Sequence, residues 1–395
     1  MMYQIKTFNA ISPVGLATFT DEYQINQQGA QADAYLIRSV DLHEHTFPES
    51  LKAIGRCGAG YNNIPLDRAS EQGIAVFNTP GGNANAVKEL VLAMMILANR
   101  QVLAAANWTQ QAQPGADITL EAAKSQFNGQ ELMGKRLAVI GLGHVGSLVA
   151  NAALNLGMEV IGYDPYLSAD AAWQLSREIH RAQSLTEVVA EADFITVHVP
   201  KNAETTGMID QKLIRQFKPT AVLLNFARHG IVDNQAVIDA LNAHRLRWYS
   251  TDFSDALIQG HPQVTILPHL GGSTVEAEAN CAQMAAKEVM TYLTTGNVIN
   301  SVNLPALQTP FASPERITLI HRNIPNMLGQ ISSLIARYQI NIENLANRAK
   351  GDFAYTIVDV SDFINPAQQA ALIKELAEIP AVSRVRLIHQ PKGEE

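Results

Sequence analysis

Cysteine is scarce in this sequence, and its scarcity excludes one class of protein. Only two of the 395 residues are cysteines, Cys57 and Cys281, so at most one disulfide can form. Small secreted folds usually carry several bridges, whereas free thiols are typical of reducing compartments. We therefore expect a cytoplasmic protein.

Basic residues and long apolar runs are also in short supply. Lys and Arg total 29 against 37 Asp and Glu, a formal net charge of −8, and no basic block is present to neutralise a nucleic-acid backbone. The longest apolar-rich stretch, residues 90–98, is far shorter than the about 20 residues of a membrane span. The first residues show no basic stretch followed by a long apolar run, so no signal peptide is expected. We expect neither nucleic acid nor a membrane as a partner.

The length and composition are typical of a multidomain globular protein. Hydrophobic residues make up 47% and charged residues 17%, which fits neither a disordered nor a fibrous chain. At about 100–200 residues per domain, the length predicts two or three domains. His43 and His45 lie in a polar stretch without a matching cysteine or histidine cluster, so no metal site is predicted.

Short apolar runs alternate with helix-like segments in two successive series, which predicts two α/β domains with doubly wound parallel sheets. Helical segments at 81–100 and 274–295 flank the second series, and they indicate that the chain crosses between the domains twice. We assign residues 1–98 and 271–300 to a discontinuous first domain, and residues 99–270 to the second.

The remaining chain predicts a third, smaller domain. Residues 301–314 contain several prolines and have the composition of a linker. Residues 315–395 then follow the order strand, helix, strand, strand, helix, strand, which is the ferredoxin-like βαββαβ arrangement.

A glycine-rich motif opens the second series. The apolar strand 136–140 leads directly into Gly-x-Gly-x-x-Gly, and a helix-like segment follows. Glycines at these positions permit a tight turn and close approach to a pyrophosphate, while the helix N-terminus offers backbone N–H groups. The predicted cofactor-binding residues of this loop are Gly141, Gly143, His144, Val145 and Gly146.

The next predicted strand ends in Asp164. A carboxylate at this place accepts hydrogen bonds from the ribose hydroxyls and repels a 2′-phosphate, so NAD is favoured over NADP. The motif and the acid together predict a Rossmann-like NAD-binding domain.

Four further segments carry a family resemblance. They are GRCGAGYNNI at 55–64, LNFARHGIVD at 224–233, TDF at 251–253 and PHLGGST at 268–274. Together they resemble the successive signatures of the D-isomer-specific 2-hydroxyacid dehydrogenases over nearly the whole chain. The resemblance implies an oligomeric oxidoreductase, a homodimer or homotetramer.

The resemblance also implies roles for individual residues. Oxidation of a 2-hydroxy acid needs a base for the hydroxyl proton and a cation for the carboxylate, and His269 and Arg228 match these positions. Asp252 matches the position that contacts the nicotinamide amide. The other implied cofactor-binding residues are Phe226, Ala227 and Gly271.

Arg38 and Arg56 match positions that hold the phosphate and carboxylate of the substrate, with the backbone of Gly58 and Ala59 beside them. The implied substrate is a phosphorylated 2-hydroxy acid, 3-phospho-D-glycerate. Another 2-hydroxy acid, such as glycerate, hydroxypyruvate or 2-hydroxyglutarate, is the alternative. A non-catalytic protein that senses NAD is a third reading.

One position departs from the family pattern. A glutamate that hydrogen-bonds the catalytic histidine normally stands where this chain has Leu257. Asp255, two residues earlier, is the candidate replacement if the loop brings it to His269.

The C-terminal segment resembles an ACT domain, a regulatory amino-acid-binding fold. His321, Asn323 and Asn341 match the polar positions that bind L-serine in serine-sensitive relatives, so serine is a candidate effector. Asn326 stands where a glycine is usual. A purely structural role in oligomer contacts is the alternative.

Overall fold

The computed structural model divides the chain into two compact units. One contains Met1–Gly82 and Glu278–Glu395, and the other contains Asn83–Ala277. The parts of the chain that the structure describes are residues 2–26, 31–111, 124–363 and 365–390.

The first unit begins with a parallel five-stranded sheet. Its strands, in the order β2-β1-β3-β4-β5, are β1 (Tyr3–Thr7), β2 (Tyr23–Ile25), β3 (Ala34–Ile37), β4 (Ala53–Arg56) and β5 (Ala75–Phe77). Its helices are α1 (Pro13–Leu16) and α2 (Leu66–Glu71). Strands β3, β4 and β5 are apolar except for Arg56 at the end of β4, which is typical of a parallel sheet covered on both faces. Ile37 pairs with Arg56, so β3 and β4 end side by side.

The second unit is a parallel seven-stranded sheet flanked by helices. Its elements are α3 (Ala84–Asn99), α4 (Val102–Gln111), a 3₁₀ turn (Lys124–Phe127), β6 (Arg136–Ile140), α5 (His144–Asn155), β7 (Glu159–Tyr163), α6 (Ala169–Trp173), β8 (His180–Arg181), α7 (Leu185–Ala190), β9 (Phe194–Val197), α8 (Gln211–Ile214), β10 (Val222–Asn225), α9 (Asn234–Asn242), β11 (Trp248–Thr251) and β12 (Val264–Ile266). The strand order β12-β11-β10-β9-β6-β7-β8 reverses between β6 and β9. Doubly wound folds bind ligands at such a reversal. The predicted α/β class with parallel sheets is confirmed.

The structure differs from the predicted domain boundary at residue 98. Val91 and Met95 of α3 pack in the same apolar cluster as Leu137 and Val139 of β6, so α3 belongs to the second unit. The sequence shows that α3 is amphipathic but not which sheet its apolar face covers. Among the described residues, no single helix is long and apolar enough to cross a membrane, although α3 and α4, bent by 65° at their junction, meet that test as a pair.

The chain returns to the first unit through α10 (Val275–Thr295) and ends in an antiparallel four-stranded sheet. The elements are β13 (Glu315–Arg322), α11 (Met327–Arg337), β14 (Ile342–Lys350), β15 (Phe353–Val360), α12 (Pro366–Ala377) and β16 (Val382–His389). The strand order is β14-β15-β13-β16. The βαββαβ succession predicted from the sequence is present.

The two central strands of this C-terminal sheet, β13 and β15, are buried on both faces. Ile317 and its neighbours on one face pack against the helices α11 and α12, whereas Ile320 and Tyr355 on the other face pack with Tyr292 of α10. The Arg386 guanidinium donates to the carbonyls of Tyr292 and Leu293, at 3.1 and 2.7 Å. These carbonyls belong to the last turn of α10, and they also accept from the Gly296 N–H and the Tyr3 hydroxyl, each at 3.0 Å.

The predicted linker, residues 301–314, begins instead as an ordered extension of the first sheet. The buried Asn303 accepts the Val76 N–H at 2.8 Å and donates to the Ile74 carbonyl at 2.9 Å. Ser301 Oγ donates to the Val76 carbonyl at 2.8 Å. Proline content marked this segment as irregular, but it could not show that asparagine and serine side chains hold it to β5.

Glu288 on α10 is a half-buried carboxyl with an incomplete set of partners. Its Oε2 atom is buried and has no hydrogen-bond partner among the described residues. Burial raises the pKa of Glu288 to about 7, although the Asn300 N–H donates to the carboxyl and lowers it. The folded state therefore holds this proton more tightly than the unfolded chain does.

The free energy of unfolding should consequently fall as the pH rises from the unfolded pKa of Glu288 towards its folded value of about 7. The glutamine of Glu288→Gln cannot ionise, so the free energy of unfolding of this variant should not fall for this reason. We expect the variant and the wild type to melt at similar temperatures near pH 5, and the variant to melt about 2 °C or more higher at pH 8. Thermal melts across this range provide the measurement. A difference between the two proteins that stays constant with pH would contradict the assignment.

Candidate active site

The glycine motif of the second unit forms a turn, and the surroundings of its three glycines differ. Gly141 has a φ of 89°, and a Cβ there would lie 2.8 Å from the His198 backbone. At Gly146 a Cβ would lie 1.9 Å from the Gly141 carbonyl oxygen. Gly143, the N-cap of α5, faces open space with no atom within 4 Å of a Cβ. The turn therefore packs tightly at two glycines and leaves room at the third.

That room lies at the N-terminus of α5, where the first N–H groups of the helix lack intrahelical acceptors. The helix begins at His144, three residues before the predicted start at Ser147, so His144 and Val145 are its first two residues. A pyrophosphate fits such a place because it is anionic and needs backbone donors. The loop therefore fits NAD.

Asp164 follows β7 and ties the glycine turn to the next strand. Its Oδ2 accepts the Leu142 N–H at 2.8 Å, and its Oδ1 accepts the Tyr166 N–H at 2.9 Å. Each carboxylate oxygen has a further lone pair, so the half-buried side chain can still accept from ribose hydroxyls. The predicted nucleotide residues of this loop are thus brought together.

Asp252, at the end of β11, is a buried carboxylate with one oxygen left over. Its Oδ2 accepts the Gly271 N–H at 2.9 Å, whereas Oδ1 is buried without a partner among the described residues. Burial raises the pKa of Asp252, and the hydrogen bond from the Gly271 N–H, followed by the interactions with His269 and Arg228, partly opposes that rise. A buried acceptor of this kind is costly unless a donor reaches it. The amide N–H₂ of a nicotinamide is such a donor.

Two cofactor predictions change in detail. The Gly271 N–H is used inside the protein, so Gly271 positions Asp252 rather than donating to the cofactor. The Phe226 side chain is buried in the apolar cluster behind β10, which leaves only its backbone for a ligand. Ala227 donates its N–H to Asn225 Oδ1 at 3.2 Å and is half-buried. Sequence motifs identify such positions without showing which atoms remain available.

His269 and Arg228 are exposed side chains at the same edge of the sheet. His269 has a φ of 35°, and its ring lies edge-on to Phe253 with centroids 5.1 Å apart. Its backbone N–H donates to the Asp252 carbonyl at 3.1 Å, while its imidazole has no hydrogen-bond partner among the described side chains. Arg228 Nη1 donates to the Ala227 carbonyl at 2.7 Å. Because His269 and Arg228 both interact electrostatically with the Asp252 carboxyl, the three predicted residues lie near one another.

The prediction that Asp255 partners His269 is wrong in this structure. Its Oδ2 accepts from Asn234 Nδ2 at 2.9 Å and lies 3.6 Å from His229 Nε2. The Leu257 N–H donates to Oδ1, and together with the other contacts it lowers the pKa of Asp255. The loop folds back on itself, so the carboxylate turns towards the start of α9. The sequence places His229, His244, His261 and His269 on either side of this acid and gives no signal for which one it meets.

The first unit brings together the four predicted substrate residues. Arg38 follows β3 and Arg56 ends β4, beside each other in the sheet. Gly58 has a φ of 150°, and a Cβ there would lie 1.4 Å from Arg56 Nη1, so the guanidinium crosses directly over this glycine. Asn78 Nδ2 holds the Ala59 carbonyl at 2.7 Å. The arrangement offers a cation next to a loop of fixed backbone groups, which suits a small acid.

Sequence reasoning missed Glu278, which forms an ion pair with Arg38. Arg38 Nη2 lies 2.6 Å from Glu278 Oε1. The two residues are 240 positions apart, and no pattern in a single sequence identifies such a pair.

The C-terminal residues predicted to bind an effector are not assembled in this chain. His321 is buried, with Nδ1 2.8 Å from the Arg322 carbonyl and Nε2 2.9 Å from Thr356 Oγ1. Asn323 donates to the Gly351 carbonyl at 3.3 Å, at the turn after β14, whereas Asn341 directly precedes the start of β14. His321 is therefore a satisfied core residue in this structure, which corrects its predicted role as a ligand.

Comparisons with known proteins agree with this geometry. The family described as "D-isomer specific 2-hydroxyacid dehydrogenase, NAD binding domain" matches residues 92–271. The D-3-phosphoglycerate dehydrogenase of Mycobacterium tuberculosis is 32% identical over 372 residues, covering 88% of this chain and 68% of that protein. The D-3-phosphoglycerate dehydrogenase of Bacillus subtilis is 33% identical over 318 residues, covering 77% of this chain and 57% of that protein. The predicted NAD dependence is confirmed by the family match.

A solved structure is also similar. The NAD⁺-bound 3-phosphoglycerate dehydrogenase of Entamoeba histolytica is 25% identical, with a TM-score of 0.62, covering 78% of this chain and 100% of that one.

The free oxygen of Asp252 yields a prediction for cofactor binding. In Asp252→Asn the amide oxygen can still accept from Gly271, but an N–H₂ group then meets the nicotinamide amide instead of an acceptor. We expect the Kd for NADH, measured by fluorescence titration, to rise about tenfold, a loss typical of one buried hydrogen bond to a charged group. The melting temperature should not fall, because the variant removes a buried charge. An unchanged Kd would remove Asp252 from the cofactor site.

Proposed function

The chain belongs to the D-isomer-specific 2-hydroxyacid dehydrogenases, and from that premise we propose that it oxidises 3-phospho-D-glycerate to 3-phosphooxypyruvate, the first step towards L-serine. The observation that carries the proposal is the buried Asp252 with its unpartnered Oδ1, placed beside His269 and Arg228. The relatives named D-3-phosphoglycerate dehydrogenase support the choice of substrate.

The residues of the second unit can divide the chemistry among them. His269 accepts the proton of the substrate hydroxyl, and its exposed, unpartnered imidazole is free to do so. Arg228 binds the carboxylate next to the reacting carbon and stabilises charge on the forming carbonyl. When bound, NAD supplies the nicotinamide carbon that takes the hydride. Asp252 orients that ring by accepting from its amide.

The first unit contributes candidate groups for binding the phosphate of the substrate. Arg38 and Arg56 hold the phosphate through their planar guanidinium groups, and the backbone of Gly58 and Ala59 completes the anion site. The fixed loop supports this role, since Asn78 and Thr79 bond the carbonyls of Ala59 and Gly58 at 2.7 and 3.1 Å.

We assign the C-terminal module to the ACT type on its βαββαβ order, with a structural role in place of the predicted serine response. His321 is buried and bonded at both ring nitrogens. A homodimer or homotetramer remains our expectation for the assembly, and α4 exposes Val102 and Leu103 that a second copy can cover.

One observation favours a second candidate function. The His269 imidazole has no carboxylate partner among the described residues, and Leu257 stands where the family resemblance places a glutamate. A protein that binds NAD without turnover would tolerate this loss. Turnover measurements distinguish the two functions.

The first test is NAD reduction by the wild type with 3-phospho-D-glycerate, D-glycerate and 2-hydroxyglutarate. We expect the phosphorylated acid to give the highest kcat/KM. His269→Asn should lower kcat by about 10²–10⁴, the usual contribution of a general base. Asp255→Asn should stay within about twofold of the wild type, because its carboxylate contacts His229 and Asn234 instead. No NADH formation with any of these acids would favour the non-catalytic protein.

The second test concerns L-serine. Because His321 has no free ring nitrogen, serine should change neither the initial rate nor the melting temperature. A rate titration and a thermal-shift titration measure both effects. Inhibition that disappears in His321→Ala would restore the effector site predicted from the sequence.

A further inference from the structure

The anion site of the first unit contains a negative charge. Arg38 Nη2 lies 2.6 Å from Glu278 Oε1, and the two side chains are 37% and 39% exposed. Burial raises the pKa of the Cys281 thiol, and the same thiol senses the charges of Arg38, Arg56 and Glu278. All three charged side chains therefore surround one spot, and the carboxylate offsets one of the two guanidinium charges.

Glu278 is well held in this position. It lies in the first turn of α10, where a negative charge is favoured by the helix dipole. Thr274 Oγ1 accepts the Ala277 N–H at 3.1 Å and caps the same turn. A carboxylate fixed beside the anion site repels any anion that enters it, and the repulsion grows with the charge of that anion.

We propose that Glu278 determines substrate specificity by weakening the grip of Arg38 and Arg56 on a doubly charged phosphate. The inference rests on the proposed function, since it takes these arginines as the phosphate site. A phosphate dianion must share Arg38 with the carboxylate or displace it, whereas an acid without a phosphate leaves the ion pair intact. Glu278 thereby narrows the preference for phosphorylated over unphosphorylated 2-hydroxy acids.

The test compares Glu278→Gln with a matched control. Glutamine keeps the size and the acceptor oxygen for Arg38 but loses the charge. Glu276→Gln removes the same charge two residues earlier, from an exposed side chain with no ion pair among the described residues. Melting temperatures verify that both variants fold. If Glu278→Gln does not fold, the test is repeated with Glu278→Ala.

Two readouts are needed. KM is measured for 3-phospho-D-glycerate and for D-glycerate. Calorimetry then gives the Kd of 3-phospho-D-glycerate for the NADH-loaded protein, a complex in which no turnover occurs. We expect Glu278→Gln to lower both constants for the phosphorylated acid about 3- to 10-fold, the effect of one partly exposed charge at close range. D-glycerate should change less than twofold, and Glu276→Gln should match the wild type. The advantage should shrink at about 0.5 M salt, where exposed charges are screened.

The outcomes separate this proposal from the proposed function. Wild-type protein that neither oxidises nor binds 3-phospho-D-glycerate contradicts the proposed function itself. If the wild type is active, an unchanged or higher KM in Glu278→Gln overturns the inference, because Glu278 would then be neutral or would hold Arg38 in its binding position. An equal fall in KM for both acids in Glu278→Gln also overturns the inference. So does an equal effect of Glu276→Gln, because the change in net charge alone would then explain the result.

Discussion

Parallel strands all end at the same edge of their sheet, and this constraint places the candidate cofactor residues and the two candidate phosphate-binding arginines. In the second unit the glycine turn, Asp164, Arg228 and Asp252 follow β6, β7, β10 and β11 in turn. In the first unit Arg38 and Arg56 stand at the ends of β3 and β4. Residues far apart in sequence thus become neighbours without any long-range signal between them, because the sheet fixes where each strand stops.

The cost of burying polar groups identifies the functional atoms within these edges. The structure buries Asp252 and then satisfies only one of its two oxygens, which is expensive unless a ligand donates to the other. His321 shows the opposite case. It is equally buried, but both ring nitrogens have partners, so nothing about it calls for a ligand. A comparison of hydrogen-bond partners therefore supports the predicted cofactor site at Asp252 and argues against the predicted effector site at His321.

The sequence alone predicted both parallel sheets, the βαββαβ module and the nucleotide turn, because each depends on local signals: apolar runs, glycines and caps. It could not predict contacts chosen by tertiary packing. The sequence shows which face of α3 is apolar, but it does not show which sheet that face covers. Asp255 has several histidines on either side of it in the sequence, and only the fold selects His229. The pairing of Arg38 with Glu278 has no local signature at all.

Leu257 and Glu278 bear on different parts of the proposed chemistry. Leu257 stands where the family resemblance places a glutamate, so this side chain cannot accept a hydrogen bond from His269. Glu278 adds a carboxylate at the site proposed for the phosphate. A leucine cannot orient the imidazole, whereas a carboxylate beside the arginines is expected to weaken binding of the dianion. Neither residue lies in a described strand, and neither is among the residues proposed to bind the cofactor. Substitutions at these two positions therefore test the proton acceptor and the phosphate site without altering a proposed cofactor ligand.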